Sequence, residues 1–109
     1  MAVAITSVLT GENTYSEPIL VASDQNIIIK ITEYEANLVA NLSIQRIAEV
    51  SDPARPNDAD SRWSTVEKIS FDGTIYKQDY SGPAFYRVAI LASDYTSGKA
   101  EVELSSCQK

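Results

Sequence analysis

The sequence predicts an all-β domain: an antiparallel β-sandwich of immunoglobulin-like build with about eight strands, with a small jelly roll or barrel as the alternative closure. Three observations carry this expectation. In residues 84–104, Tyr86, Val88 and Ile90 alternate with Phe85, Arg87 and Ala89, and Ala100, Val102 and Leu104 alternate with Lys99, Glu101 and Glu103. Such a period of two marks strands with one buried face. The apolar runs are rich in β-branched residues, with Ile27, Ile28, Ile29 and Ile31 packed into five positions, which is poor helix material and good strand material. Clusters of Gly, Pro, Asn, Asp and Ser punctuate these runs throughout, and helix caps are weak.

Taken in order, residues 2–9 place Val3, Ile5 and Leu9 on one parity and read as a first or edge strand. A turn at residues 11–14 leads to a short strand at 18–22, which Pro18 can open because proline is tolerated at a strand's first residue. After a turn at 23–26, residues 27–32 form a third strand. Residues 34–48 also admit a helical reading, since Leu38, Leu42 and Gln45 fall at helical spacing. The alternation of Leu38, Ala40, Leu42 and Ile44 with Val39, Asn41, Ser43 and Gln45 persists over eight residues, however, and favours a strand. Residues 51–61, with two prolines and no apolar periodicity, form one long loop. A strand resumes at 62–70, with Trp63 expected in the core. Asp72-Gly73 is a strong hairpin signal into a strand at 73–80. Residues 93–98 then turn a terminal hairpin, leaving Tyr95 exposed at its tip.

With 109 residues the chain is read as one domain, 1–109, long enough to bury a core without disulfides or metal. The net charge of −6, with nine Lys and Arg dispersed along the chain, argues against nucleic acid or an anionic membrane as partner. No signal peptide or membrane-spanning helix is expected. Cys107, the lone cysteine in a chain without histidine, is read as an incidental thiol, and the lack of disulfides fits assembly in a reducing cytoplasm. The fifteen carboxylates show no spacing that singles out an acid–base pair, so no catalytic residue is assigned and the protein is expected not to be an enzyme. Zinc lacks ligands. Asp52, Asn57, Asp58 and Asp60 offer calcium-type oxygens, but without EF-hand spacing. A solvated loop is the simpler reading, and no metal or other cofactor is assigned.

Six tyrosines and one tryptophan outnumber two phenylalanines, a bias that suits interfaces and sugar-stacking platforms as well as half-buried sheet positions. The candidate partner-contact residues are Tyr95, Thr96, Tyr80 and Tyr15.

The second half of the chain resembles small β-sandwich domains in virion proteins of tailed bacteriophages. The resemblance lies in Gln45-Arg46 closing a strand, in Arg62-Trp63-Ser64-Thr65-Val66 after a loop, in Gly82-Pro83-Ala84-Phe85-Tyr86-Arg87-Val88, and in Asp94-Tyr95-Thr96-Ser97-Gly98. The proline-containing loop at 51–61 departs from the compact turn usual before the tryptophan, and the N-terminal third carries no shared motif. The resemblance implies a capsid decoration (cement) protein, or a tail- or fibre-associated one. Such a protein would be homotrimeric, bound to the major capsid protein or other virion proteins, and located on the virion after assembly in the host cytoplasm. The alternative is a carbohydrate-binding or adhesin module with Tyr95, Tyr80 and Trp63 as its stacking platform.

Overall fold

The computed structural model describes residues 4–48 and 56–108 of the chain, without the side chain of Ala36. Its strands are β1 (Ile5–Leu9), β2 (Thr14–Tyr15), β3 (Ile19–Val21), β4 (Gln25–Ile47), β5 (Ser64–Ser70), β6 (Ile75–Lys77), β7 (Ala84–Ile90) and β8 (Tyr95–Gln108). All pair antiparallel. The protein is an all-β antiparallel sandwich. Sheet I runs β1-β8-β4-β6, and sheet II runs β5-β4-β7 with β2 and β3 both on the far side of β7. Counting the two halves of β4 separately, this order is the double Greek key of a jelly roll, so of the two closures expected the jelly roll describes the strand order.

β4 is the element that joins the sheets. Residues predicted as two strands form one of 23 residues. Straight, it would span about 75 Å at ~3.3 Å per residue, twice the 38 Å longest dimension of the molecule. It must therefore bend, and it does so where its register with β8 slips, between Glu33 and Ala40. The N-terminal half pairs β8 and β6 in sheet I, and the C-terminal half pairs β7 and β5 in sheet II. A further bulge between Ile44 and Gln45 re-aims the sheet II half against β5.

The inward faces follow the predicted parity. Leu9, Ile27, Ile29, Ile31, Ala100, Val102 and Leu104 from sheet I meet Ile19, Val21, Leu42, Ile44, Tyr86, Val88 and Ile90 from sheet II, with Leu38 and Ala40 filling the bend. Each fully buried large aliphatic contributes roughly 1.5–3 kcal/mol. Ser16 links the short edge strands to β7, its amide donating to the Val88 carbonyl and its Oγ accepting the Val88 amide, both at 2.8 Å.

Both expected hairpins are replaced by crossovers. β7 lies in sheet II and β8 in sheet I, so the turn at 91–94 carries the chain between sheets, and residues 95–98, expected in the turn, belong to β8. Likewise β5 pairs β4 in sheet II and β6 pairs β4 in sheet I, across Gly73 at φ +97°. Alternation marks which residues face inward but not which strand lies alongside, and the turn chemistry serves a crossover as well as a hairpin. Gly98 is required where β8 passes the bend. It sits at φ +83°, and a Cβ there would lie 2.6 Å from the Leu38 Cα.

Candidate functional site

The outer face of sheet II holds a polar cluster that the sequence reading missed. β7 is buried along its whole length, including Phe85, Arg87 and Ala89, which were expected to be solvated. Arg87 is 4% exposed. Its guanidinium lies between two rings, 4.1 Å from the Tyr15 centroid and 4.3 Å from the Trp63 centroid. Its Nε donates to Gln45 Oε1 at 2.8 Å, and Gln45 Nε2 donates on to Thr65 Oγ1 at 3.2 Å. Its Nη1 donates to the Asp58 carbonyl at 3.1 Å and sits 3.6 Å from the Asp58 carboxylate. Burial pulls the guanidinium below its ordinary pKa, opposed by Asp58, Tyr15 and Asp60, and it stays protonated at any physiological pH.

Arg87 thereby fastens residues 57–63 across the sheet as a strap. Trp63 Nε1 donates to the Asn57 carbonyl at 3.1 Å, closing the strap on itself. Asp60 accepts from the Arg62 amide, Nε and Nη2 at 2.8–3.0 Å, and these hydrogen bonds, the side-chain ones foremost, hold its carboxyl at about 2. The oxygens that looked calcium-like are engaged within the protein: Asn57 Oδ1 accepts the Ala59 amide, Asp58 faces Arg87 and Asp60 faces Arg62. Asp52 lies outside the described residues. Among the described residues no three His, Cys, Asp or Glu side chains gather as a metal site.

A second cluster closes the edge between β5 and β6. Glu67 accepts the Tyr80 hydroxyl and pairs with Lys77 at 3.2 Å. The Tyr80 hydroxyl is the foremost cause holding Glu67 below the usual carboxylate range. Burial first, and the Glu67 carboxylate second, push Tyr80 well above the ordinary phenol value. The Tyr80 ring packs 6.2 Å from that of Tyr86, whose hydroxyl donates to the Ser81 carbonyl at 2.6 Å.

The third feature is a cleft of about 170 Å³ beside the bend, lined by Val39, Ala40, Asn41, Ser70, Phe71, Ser93, Asp94 and Thr96. Ser70 Oγ donates to Asn41 Oδ1 at 2.8 Å, which orients the amide so that Nδ2 faces Asp94 Oδ1, a long 3.5 Å away. The Asn41 backbone N–H donates to the Asp94 carbonyl, and Lys68 Nζ pairs with Asp94 Oδ2 at 2.9 Å.

The four predicted contact residues do not share a surface. Thr96 is exposed and lines the cleft. Tyr95 is half-buried against the core rather than presented at a tip, its hydroxyl donating to the Gly98 carbonyl at 3.0 Å. Tyr80 lies at the sandwich edge, packed against the core, and Tyr15 lies on Arg87. Trp63 is outside the core, on the outer face of sheet II, so Tyr95, Tyr80 and Trp63 form no common stacking platform. The signal that could have pointed to Arg87 is an arginine at an outward position between Phe85 and Ala89, opposite a loop carrying Asp58 and Asp60.

Fold and clusters together define a jelly-roll domain with one strapped and one open face. No family model and no curated protein matches the chain. A crystal structure of the Yersinia pseudotuberculosis-derived mitogen is similar to it at 11% identity and a TM-score of 0.45, covering 96% of this chain and 85% of that one. A likeness so distant carries nothing about function.

Proposed function

We propose that the chain is a non-enzymatic structural protein of a tailed-bacteriophage virion, a decoration protein that binds and stabilises the major capsid protein lattice as a homotrimer. The resemblance of residues 42–104 to virion domains motivates the reading. The observation that carries it is the open face of sheet I. Register places Tyr76, Lys30, Glu103 and Thr6 in one row across four strands, with Val8, Glu101 and Thr32 in the next. Tyr76 is 56% exposed and Val8 38%. An open face mixing an aromatic ring, an aliphatic group and charges of both signs suits a non-obligate protein interface, which is about as apolar as ordinary surface and relies on aromatic anchors. The sheet is backed by the buried core, so docking would order few side chains.

Mass spectrometry of purified virions tests the reading, with the chain expected at a copy number matching the capsid lattice. Light scattering of the protein alone and with capsid shells should give a trimer that docks, and Tyr76→Glu should weaken docking about tenfold or more, the effect of losing an interface anchor. Absence from particles, or presence in a few copies only, sinks the decoration reading.

A further inference from the structure

The cleft beside the bend of β4 is not part of the sheet I face, and its chemistry differs. We propose that it binds a single uncharged sugar residue, with Asp94 and Asn41 hydrogen-bonding the hydroxyls and Phe71 and Val39 packing against the C–H face of the ring. The inference stands independently of the virion reading.

Size comes first. At about 170 Å³ the cleft is well below the ~300–1,000 Å³ of sites for drug-sized ligands, and is scaled to one small ring. Charge comes second. Lys68 already pairs with Asp94 Oδ2 at 2.9 Å, so the cleft presents neither a free cation for a phosphate or carboxylate nor an unpaired anion for an amine or metal ion. What remains on offer is hydrogen bonding: Asp94 Oδ1, which Asn41 Nδ2 approaches only to 3.5 Å, the Asn41 side-chain amide with its orientation set by Ser70, and the Ser93 and Thr96 hydroxyls. Neutral ligands that both give and take many hydrogen bonds from one small ring are sugars. Third, the polar groups share the cleft with an apolar wall, Val39 (50% exposed) and the half-buried Phe71, which suits the two-sided character of a pyranose. The Asp94 backbone is fixed by its bonds to Leu91 and Asn41, so the acceptors are in place before a ligand arrives. Ser93 beside it holds φ +72°, a left-handed conformation uncommon for a residue other than glycine and one that clusters at binding sites.

The test is a nuclear magnetic resonance titration of the full isotope-labelled chain with the methyl glycosides of glucose, galactose, mannose and N-acetylglucosamine. Glycerol is the control for a generic polyol. A shallow one-ring site should bind with a dissociation constant in the millimolar range. Saturable amide shifts are expected at residues 39–41, 70–71 and 93–96 for at least one glycoside, and none for glycerol. Two variants follow. Asp94→Ala removes the principal acceptor, and Thr96→Lys, at an exposed position that does not threaten folding, fills the mouth. Each should weaken binding about tenfold or more, as loss of a hydrogen bond to a charged group does. Tighter binding of the free reducing sugar than of its methyl glycoside identifies a free sugar as the source. Preference for a terminal residue identifies a glycan end as the source. No saturable shift with any glycoside, shifts equal to those of glycerol, or undiminished binding by Thr96→Lys overturns the proposal.

Discussion

The outward faces of β7 and β8 show how similar alternating patterns reach opposite ends. In β8, Glu101 and Glu103 alternate with buried Ala100, Val102 and Leu104 and remain in contact with solvent on the open face of sheet I. In β7, Arg87 alternates with Tyr86 and Val88 in the same way, yet it is buried, because residues 57–63 lie across sheet II and supply the Trp63 ring, a carbonyl and a carboxylate to its guanidinium, while Tyr15 of β2 supplies a second ring. A charged residue in an alternating strand marks the outward face. Whether that face is wet depends on whether a distant segment can satisfy the charge. Arginine suits the covered case, because a planar, weakly hydrated guanidinium stacks on rings with both faces while its edges donate hydrogen bonds.

The comparison breaks most sharply at Arg87. Arg87→Ala should destabilise the protein by about 3 kcal/mol, from two lost stacking contacts at ~1–2 kcal/mol each and a Gln45 acceptor left unpaired. Urea unfolding measures it, and Arg87→Lys should recover only a minor part, since lysine keeps the charge without the planar stack. Sheet I has its own sensitive point, at the crossing rather than on its face. Gly98→Ala should cost roughly 2 kcal/mol, combining a left-handed backbone penalty of ~1–2 kcal/mol with the approach to Leu38. Trp63→Ala should cost about 1–2 kcal/mol and should loosen the strap before the sheet, giving faster proteolytic nicking within residues 57–63 while the β4–β8 amides keep their protection from exchange. A change of Glu103 to Ala on the open face should stay within ~0.5 kcal/mol.

The pH dependence separates the clusters by sign. Glu67 and Asp60 have folded-state values below their ordinary 4.5 and 3.8, so their stabilisation is complete above those values and is lost as pH falls, for Asp60 through about 2. Tyr80 is displaced upward, so its contribution is complete below its ordinary 10.0 and declines as pH rises beyond it. Denaturation midpoints followed across pH should therefore fall at both ends. Glu67→Gln should shrink the acid loss and, by removing the carboxylate beside Tyr80, bring tyrosinate absorbance in at lower pH. An unchanged alkaline limb in that variant would show that the pair is not coupled.

The sandwich class and the inward residues were legible, because burial between two sheets imposes a period of two whichever partner a strand takes. Ile27, Ile29, Ile31, Val88 and Val102 were identifiable on that ground alone. Partner choice was not legible. Residues 93–98 and Asp72-Gly73 look like hairpin turns, and only the three-dimensional closure sends each flanking pair to different sheets. The clusters were less legible still. Trp63, Asp58 and Arg87 are separated by up to 29 residues and meet only because β7 lies beneath the strap. The cleft joins Asn41 to Asp94 across 53 residues, and sequence reasoning reached it only through Thr96.

The position of β8 in sheet I bears on the birth of the molecule. This strand lies between β1 and β4, pairing Ile5 with Leu104 on one side and Ile29 with Leu104 on the other. On the ribosome, sheet I cannot close until β8 has left the exit tunnel, and until then the β1 and β4 edges that flank it lie open. Sheet I is therefore expected to close late and through contacts distant in sequence, a slow route that exposes unpaired strand edges.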